Sequence, residues 1–352
     1  MAAAGPLGGM TVIEMAAIGP VPHCGLVLRE LGADVLRIDR TVPSQLGIDL
    51  APEFDALARG KRTVALDLKA AAGRGAAMDL IGAADILIEG FRPGVMERLG
   101  LGPLPCLARN PRLVYGRLPG WGSAGPMADQ AGHDLNYLGL SGALAAMGSP
   151  GAPPPVPLNL IADFGGGAMQ LAVGVLAASL QARQSGLGQV VAASILEGTL
   201  ALTPMMHGMR AAGVMSDTRH DNVLDGGAPF YRCYQARDGG YVAVAAIEAK
   251  FYRTLLAGLG LLGALDPSAQ MDKAQWGEAH MRFAEAFLTR TRDDWALCFG
   301  GTDACVTPVL TFAEAALHPQ TAASFTSETP GGWLVPRAVP RFVRMVAGRD
   351  GV

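Results

Sequence analysis

Read for apolar and polar positions, the first half of the chain alternates two textures. Short β-branched runs at Thr11–Met15, Asp34–Asp39, Arg62–Leu68, Ile86–Phe91 and Arg112–Arg117 are separated by helix-forming stretches at Val21–Leu31 and Gly73–Ala83. A parallel neighbour strand needs a crossover long enough to carry a helix, so this alternation predicts an α/β fold with a doubly wound parallel sheet. Two longer helices are expected at His133–Met147 and Ala162–Arg183, then a short strand at Gln189–Ala192 and a third helix to about Ala212. Beyond Asp217 the pattern changes. Phe230–Tyr234 and Tyr241–Ala245 flank Asp238-Gly239-Gly240 and read as a hairpin, with helical Phe251–Leu259, Ala279–Thr289 and Asp293–Phe299 after it. The expected organisation is a large domain over residues 1–219, completed by 321–352, and a smaller α+β domain over 220–320. The tail around Trp333 has little pattern of its own and is expected to dock on the large domain.

Composition narrows the classes. The chain has 352 residues, half of them hydrophobic and 17% charged, which suits two packed domains and excludes disorder as the main state. Its net charge of −3 and 6% aromatics argue against a nucleic-acid partner. Cys24, Cys106, Cys233, Cys298 and Cys305 form no C-x-x-C pair, so neither a zinc site nor a disulfide framework is expected. Neither Met1–Met10 nor Asp350–Val352 carries a secretion or peroxisomal address, and the expected location is cytoplasmic. Ala168–Leu180, the most apolar stretch, suits a buried helix and is too short to span a bilayer. A G-x-G-x-x-G match at Gly258, Gly260 and Gly263 follows a helical run, where it reads as a helix end. After the first strand, Ala17-Ile18-Gly19-Pro20 puts a proline where a dinucleotide loop needs amide donors. No nicotinamide, flavin or other resident cofactor is expected, and no metal.

Candidate chemistry concentrates in a few places. Arg59, Lys61, Arg62 and Lys69, then Arg92, Arg98, Arg109, Arg112 and Arg117, form a local excess of cations that suits a polyanionic small molecule. His133 stands beside Asp134 where a glycine turn opens a helix, as a cap or as a base. Asp163 precedes Gly165-Gly166-Gly167, three bare residues that suggest close approach of a ligand to backbone. Glu248 ends a β-run after an apolar stretch. His207 reads as a core residue, and Met205, Met206, Met209 and Met215 read as core more readily than as a flexible apolar pocket.

Taken together, several of these segments resemble the family III coenzyme A transferases, and among them the α-methylacyl-CoA racemases. The resemblance rests on Gly32–Arg40, Gly60-Lys61-Arg62, Leu66–Lys69, Phe91-Arg92-Pro93-Gly94, Gly132-His133-Asp134, Ala162-Asp163-Phe164, Leu224–Tyr231 and Thr302–Pro308, and it spans nearly the whole chain. It implies a Rossmann-like large domain, a small domain and an interlocked homodimer. It implies His133 as the base on one face of the substrate, Asp163 as the acid on the other, and Glu248 as the partner of the His. By the same correspondence Arg40, Ala65, Leu66, Asp67, Leu68, Lys69, Arg92, Arg98 and the Gly132, Asp134, Leu135, Asn136, Tyr137 segment contact an acyl-CoA. The implied reaction is cofactor-independent inversion of 2-methylacyl-CoA thioesters through an enolate. The alternative is coenzyme A transfer with Asp163 as nucleophile. Burial would raise the Asp163 pKa and a helix N-terminus would lower it; residues alone leave the balance open.

Overall fold

A computed structural model of the chain describes residues 5–42, 48, 50–329 and 331–343, so the readings made on 1–4 and 350–352 lie outside the described residues. The chain divides into two compact units, one made of Met1–Ser141, Pro157–Leu202 and Ala323–Val352, the other of Gly142–Val156 and Thr203–Ala322.

In the first unit β1 (Thr11–Met15), β2 (Asp34–Asp39), β3 (Arg62–Ala65), β4 (Ile86–Glu89), β5 (Val114–Arg117) and β6 (Val190–Ala192) form one sheet in the order β3-β2-β1-β4-β5-β6, parallel throughout. This is the doubly wound order, with its reversal between β1 and β4. Ile13, Met15, Ile86, Leu87 and Ile88 are buried because helices cover both faces, which is why these strands read as apolar runs. The helices of this unit are α1 (Pro20–Glu30), α2 (Ala71–Gly82), α3 (Val95–Arg98), α4 (Pro103–Arg109), α5 (Asp134–Leu140), α6 (Met169–Ser185) and α7 (Ile195–Leu200).

Two strands, β3 and β4, end earlier than expected, and carboxylates turn the chain at both. The Asp67 side chain accepts from the Lys69 amide at 2.9 Å, and Glu89 accepts from the Phe91 amide at 2.8 Å. The helix expected over His133–Met147 stops at Leu140, just before Gly142 in the left-handed region (φ 83°). The helix expected from Ala162 begins earlier, at Leu160, as a π-helical turn running to Ala168. With α6 it makes one continuous span, Leu160–Ser185, of 26 residues that is long and apolar enough by length and composition alone to cross a membrane. It is not the buried helix expected. Leu171, Ala172, Val175, Ala178 and Ala182 are buried, while Val173 and Leu180 stay exposed.

The second unit contains α8 (Pro204–Ala211), β7 (Tyr231–Gln235), β8 (Tyr241–Ala245), α9 (Ala249–Leu259), α10 (Lys273–Phe287), α11 (Arg292–Phe299), β9 (Val306–Pro308) and α12 (Phe312–Leu317). Its strands form an antiparallel sheet, β7-β8-β9. Much of the chain's small aromatic complement is spent here: Phe230, Tyr234, Tyr252, Trp276, Phe283, Phe287, Trp295 and Phe299 make one core. Gly258 admits the Phe299 ring, since a Cβ there would lie 2.2 Å from Phe299 Cε1, and Gly260 caps α9 at φ 73°. The glycine match is therefore a helix end packed on an aromatic. Residues 142–156 and 203–219 belong with this unit and not with 1–141. Arg219 accounts for part of that, donating to the carbonyls of Ala145 and Ala152, both at 2.9 Å. α8 buries none of its residues, so His207 is exposed and its methionines are not core. The tail strands β10 (Phe325–Thr326) and β11 (Val335–Pro336) pair, and Trp333 donates to the Glu53 carbonyl at 3.2 Å, joining the tail to the first unit.

The closest helix approach in the first unit predicts a sensitive position. A Cβ at Gly198 would lie 1.9 Å from the Gly166 carbonyl oxygen, backbone that cannot rotate away. Gly198→Ala should lower stability by about 1–3 kcal/mol, read as a drop in Tm. An unchanged Tm would show that α7 can back away at no cost.

Candidate active site

The site is assembled where α1, α5, α7 and the π-helical turn meet. At the start of α5, His133 is exposed and has extended backbone (φ −134°), and its amide donates to the Asn136 side chain at 3.1 Å. Asp134 and Tyr137 point inward and are buried. Gly132 lies beneath the Trp121 ring, 2.7 Å from where its Cβ would stand, and Trp121 meets Tyr137 edge-on at 4.6 Å. Packing thus fixes where α5 begins.

Asp134 makes the connection. Its Oδ1 accepts from the amides of Ala162 at 2.9 Å and Asp163 at 2.7 Å, while its Oδ2 is buried without a partner among the described residues. The first amides of a helix have no partner inside it, and a carboxylate satisfies two of them here. That bond brings Asp163 to the segment carrying His133. The Asp134 side chain was expected among substrate contacts; it is used inside the protein, so any contact there falls to the backbone.

Asp163 is half-buried in the first turn of the π-helical segment. Burial pushes its carboxyl up to about 7, and the neighbouring Asp134 charge pushes the same way, against a hydrogen bond from Asn159. Burial therefore outweighs the opposing hydrogen bond. Burial, the Asp163 charge and the opposing Arg92 charge set the Tyr137 phenol, up to about 12, which places these groups in one field. On the other side Gly19 (φ 71°) leaves room for Asp163: a Cβ there would be 2.9 Å from Oδ2. His23 stacks on Phe164 with ring centroids 4.3 Å apart.

Two of the three glycines after Asp163, Gly166 and Gly167, are used in packing. A Cβ at Gly166 would lie 2.6 Å from Thr199 Oγ1, and one at Gly167 would lie 3.2 Å from Ile195 and 3.3 Å from Pro20. They let α7 and α1 close on the π-helical turn. The residues alone gave Asn159, Gly19, His23 and Phe164 no role in the site. The π-helical turn that aims Asp163 has no simple sequence signal, although such turns recur at functional sites.

The basic cluster divides into two populations. Arg59, Lys61, Arg62, Arg109 and Arg117 are held by Glu30, Glu14, Asp34, Asp79 and Glu89 with Glu97. Among the described residues Arg112, ahead of β5, is exposed and forms no such ion pair, and the same holds for Arg40, Lys69, Arg92 and Arg98. The latter four follow the ends of β2, β3 and β4, strands that share one sheet edge with β1. Ala65 is exposed, Leu66 and Leu68 lean on the core, and Asp67 closes the turn before Lys69. Cations at the carboxyl ends of parallel strands suit a phosphate-bearing ligand. Glu248 caps α9 in the second unit; Gln270 donates to the carbonyls of Ala246 at 2.9 Å and Ile247 at 2.8 Å just before it.

Comparison with known proteins places this arrangement. The model of CoA-transferase family III matches residues 7–344. The chain belongs to that family. It is 45% identical over 342 residues to the α-methylacyl-CoA racemase of Mus musculus, covering 97% of this chain and 87% of that one. To the α-methylacyl-CoA racemase of Homo sapiens it is 43% identical, covering 89% of this chain and 80% of that protein. A CaiB/BaiF family protein from Brucella suis has the same fold, with a TM-score of 0.80 at 26% identity over 97% of this chain and 93% of that one. Family III membership accords with the sheet edge and its unpaired cations.

The raised Asp163 carboxyl has a thermodynamic signature. Folded, it holds its proton more tightly than at its ordinary 3.8, so its contribution to stability is full below that value and is lost as pH rises through about 7. Asp163→Asn carries no such loss. The Tm of the variant minus that of the wild type should grow between about pH 4 and about pH 7 and level off above that. A difference that stays flat across that interval would contradict the raised carboxyl.

Proposed function

We propose that the protein is a cofactor-independent racemase of 2-methylacyl-CoA thioesters, working by proton removal from one face of C2 and delivery to the other. The observation that carries this reading is Asp163, a half-buried carboxyl held at about 7 and tied through Asp134 to the segment of His133. Inversion needs two groups that each hold or release a proton near neutral pH, one on either side of the α-carbon. In one direction neutral His133 takes the proton while protonated Asp163 supplies one; in the other the roles reverse. The enolate between these steps needs donors at the thioester oxygen, and the amides at the start of α5 are suited to it. Each such donor is typically worth about 3 kcal/mol. Arg40, Lys69, Arg92 and Arg98 are assigned to the coenzyme phosphates and Ala65–Lys69 to the coenzyme's flank. Coenzyme A transfer, the other chemistry within the family, would use only the ionised form of Asp163, as nucleophile, whereas inversion uses both of its protonation states.

The active unit in this proposal is a homodimer in which Glu248 supports the partner's His133. Its support is the α6 face bearing Met169, Val173 and Leu180, which are 42%, 59% and 65% exposed and suit cover by a second copy and not by lipid. All five cysteines are free, which supports a cytoplasmic setting.

Incubated in deuterated water with a single enantiomer of a 2-methylacyl-CoA, the wild type should place deuterium at C2 while forming the other enantiomer. His133→Ala and Asp163→Ala should each lose about 10²–10⁴-fold in that rate. Coenzyme A transfer to a free acid with C2 unlabelled would overturn the racemase reading. Mixing the inactive His133→Ala and Glu248→Ala chains should restore part of the activity, because each mixed dimer holds one intact site. No recovery after demonstrated subunit exchange would place Glu248 and His133 of one site in one chain.

A further inference from the structure

A buried ion pair lies behind the site, in contact with neither His133 nor Asp163. Lys61, at the entrance to β3, donates to Glu14 Oε2 on β1 at 2.6 Å, and the two side chains are 1% and 0% exposed. Lys61 also donates to the carbonyl of Pro22 at 2.7 Å, in the first turn of α1. Gly25 makes the space, since a Cβ there would stand 1.8 Å from Glu14 Oε2 and 3.0 Å from Lys61 Nζ. Glu14 Oε1 and His23 Nδ1 are buried without partners among the described residues. A buried pair of this kind is weak evidence of stabilisation, because desolvating two charges offsets their attraction. Its geometry is specific: one ammonium joins the sheet to the first turn of α1. That same turn carries Gly19 against the Asp163 carboxylate and His23 stacked on Phe164.

We infer that the Glu14–Lys61 pair is a positioning clamp: it seats the first turn of α1 on the Asp163–Phe164 segment and so keeps water from the Asp163 carboxyl. Prolines at 20 and 22 leave this turn short of amide donors, so it shields Asp163 without hydrogen-bonding its ionised form. Burial drives Glu14 up and Lys61 down, so the pair sits where loss of either partner is felt. Arg37 on β2, Asp55 in the turn before β3, and Cys24 and His23 on α1 are the other titratable groups around it. Around Asp163 they are Asp134, Tyr137 and the adjoining His133 on the α5 side, His23 on α1, and Glu197 on α7, whose carboxylate accepts from Ser194. Asp163 is the acid of the proposed racemisation, and the inference rests on that reading for its consequence in catalysis.

The test reads Asp163 itself. The Tm difference between Asp163 and Asp163→Asn chains, followed against pH, has a midpoint set by this carboxyl. In a Glu14→Gln/Lys61→Met background, which replaces both charges together, and separately in His23→Ala, water should reach Asp163. The midpoint should then fall by about half a pH unit or more. An unmoved midpoint in a folded variant would overturn the clamp. Should the double variant not fold, His23→Ala still reads whether the turn that the pair seats shields Asp163, since its half-exposed ring can be removed without leaving a buried charge, and an unmoved midpoint there overturns the clamp's consequence. In the deuterium assay the same variants should lower kcat and shift its pH profile, with KM for the acyl-CoA within about twofold. A midpoint that moves in a protein showing no C2 exchange would retire the racemase reading and keep the clamp.

Discussion

Two backbone amides with no partner inside their own helix turn, those of Ala162 and Asp163, have to find acceptors in a part of the protein that water reaches poorly. Asp134 supplies them by reaching across from α5 with one oxygen. The bond does two things at once. It ties the segment of His133 to that of Asp163, and it sets a second negative charge beside the Asp163 carboxyl. In water that charge would be screened. At a half-buried position it adds to desolvation and keeps Asp163 protonated to far higher pH than an ordinary aspartate. Geometry and part of the proton affinity therefore come from one interaction, burial being the larger cause of the second.

Close packing of bare backbone makes the arrangement possible. Gly166, Gly167 and Gly198 let α7 and α1 approach the π-helical turn to distances a methyl group would block, and Gly19 does the same at the carboxylate. The cost is the extra entropy that glycine surrenders on folding.

The cations divide along similar lines. Carboxylates of the first unit hold Arg59, Lys61, Arg62, Arg109 and Arg117, and these shape loops and join strands. Arg40, Lys69, Arg92 and Arg98 are left at the sheet edge. A chain of net charge −3 can present a locally positive edge because its carboxylates pair with cations elsewhere and leave these four bare.

Periodicity and residue type were enough to place β1, β2 and β8 to the residue and to establish the parallel α/β class, because buried parallel strands are apolar on both faces. His133, Asp163 and Glu248 were legible as chemistry-bearing residues by their settings and by resemblance to a family. Other features had no local signal. The π-helical turn at Leu160–Ala168, the inward use of Asp134, the role of the glycine run and the sorting of cations into paired and unpaired all depend on residues far apart in the chain. Asp134 meets Asp163 across 29 positions, and Lys61 meets Glu14 across 47. Burial and the charges that packing brings alongside set a proton affinity. The sequence by itself determined which groups could carry the chemistry; only the tertiary structure decided which of them face one another, how dry they are, and therefore at what pH they hold a proton.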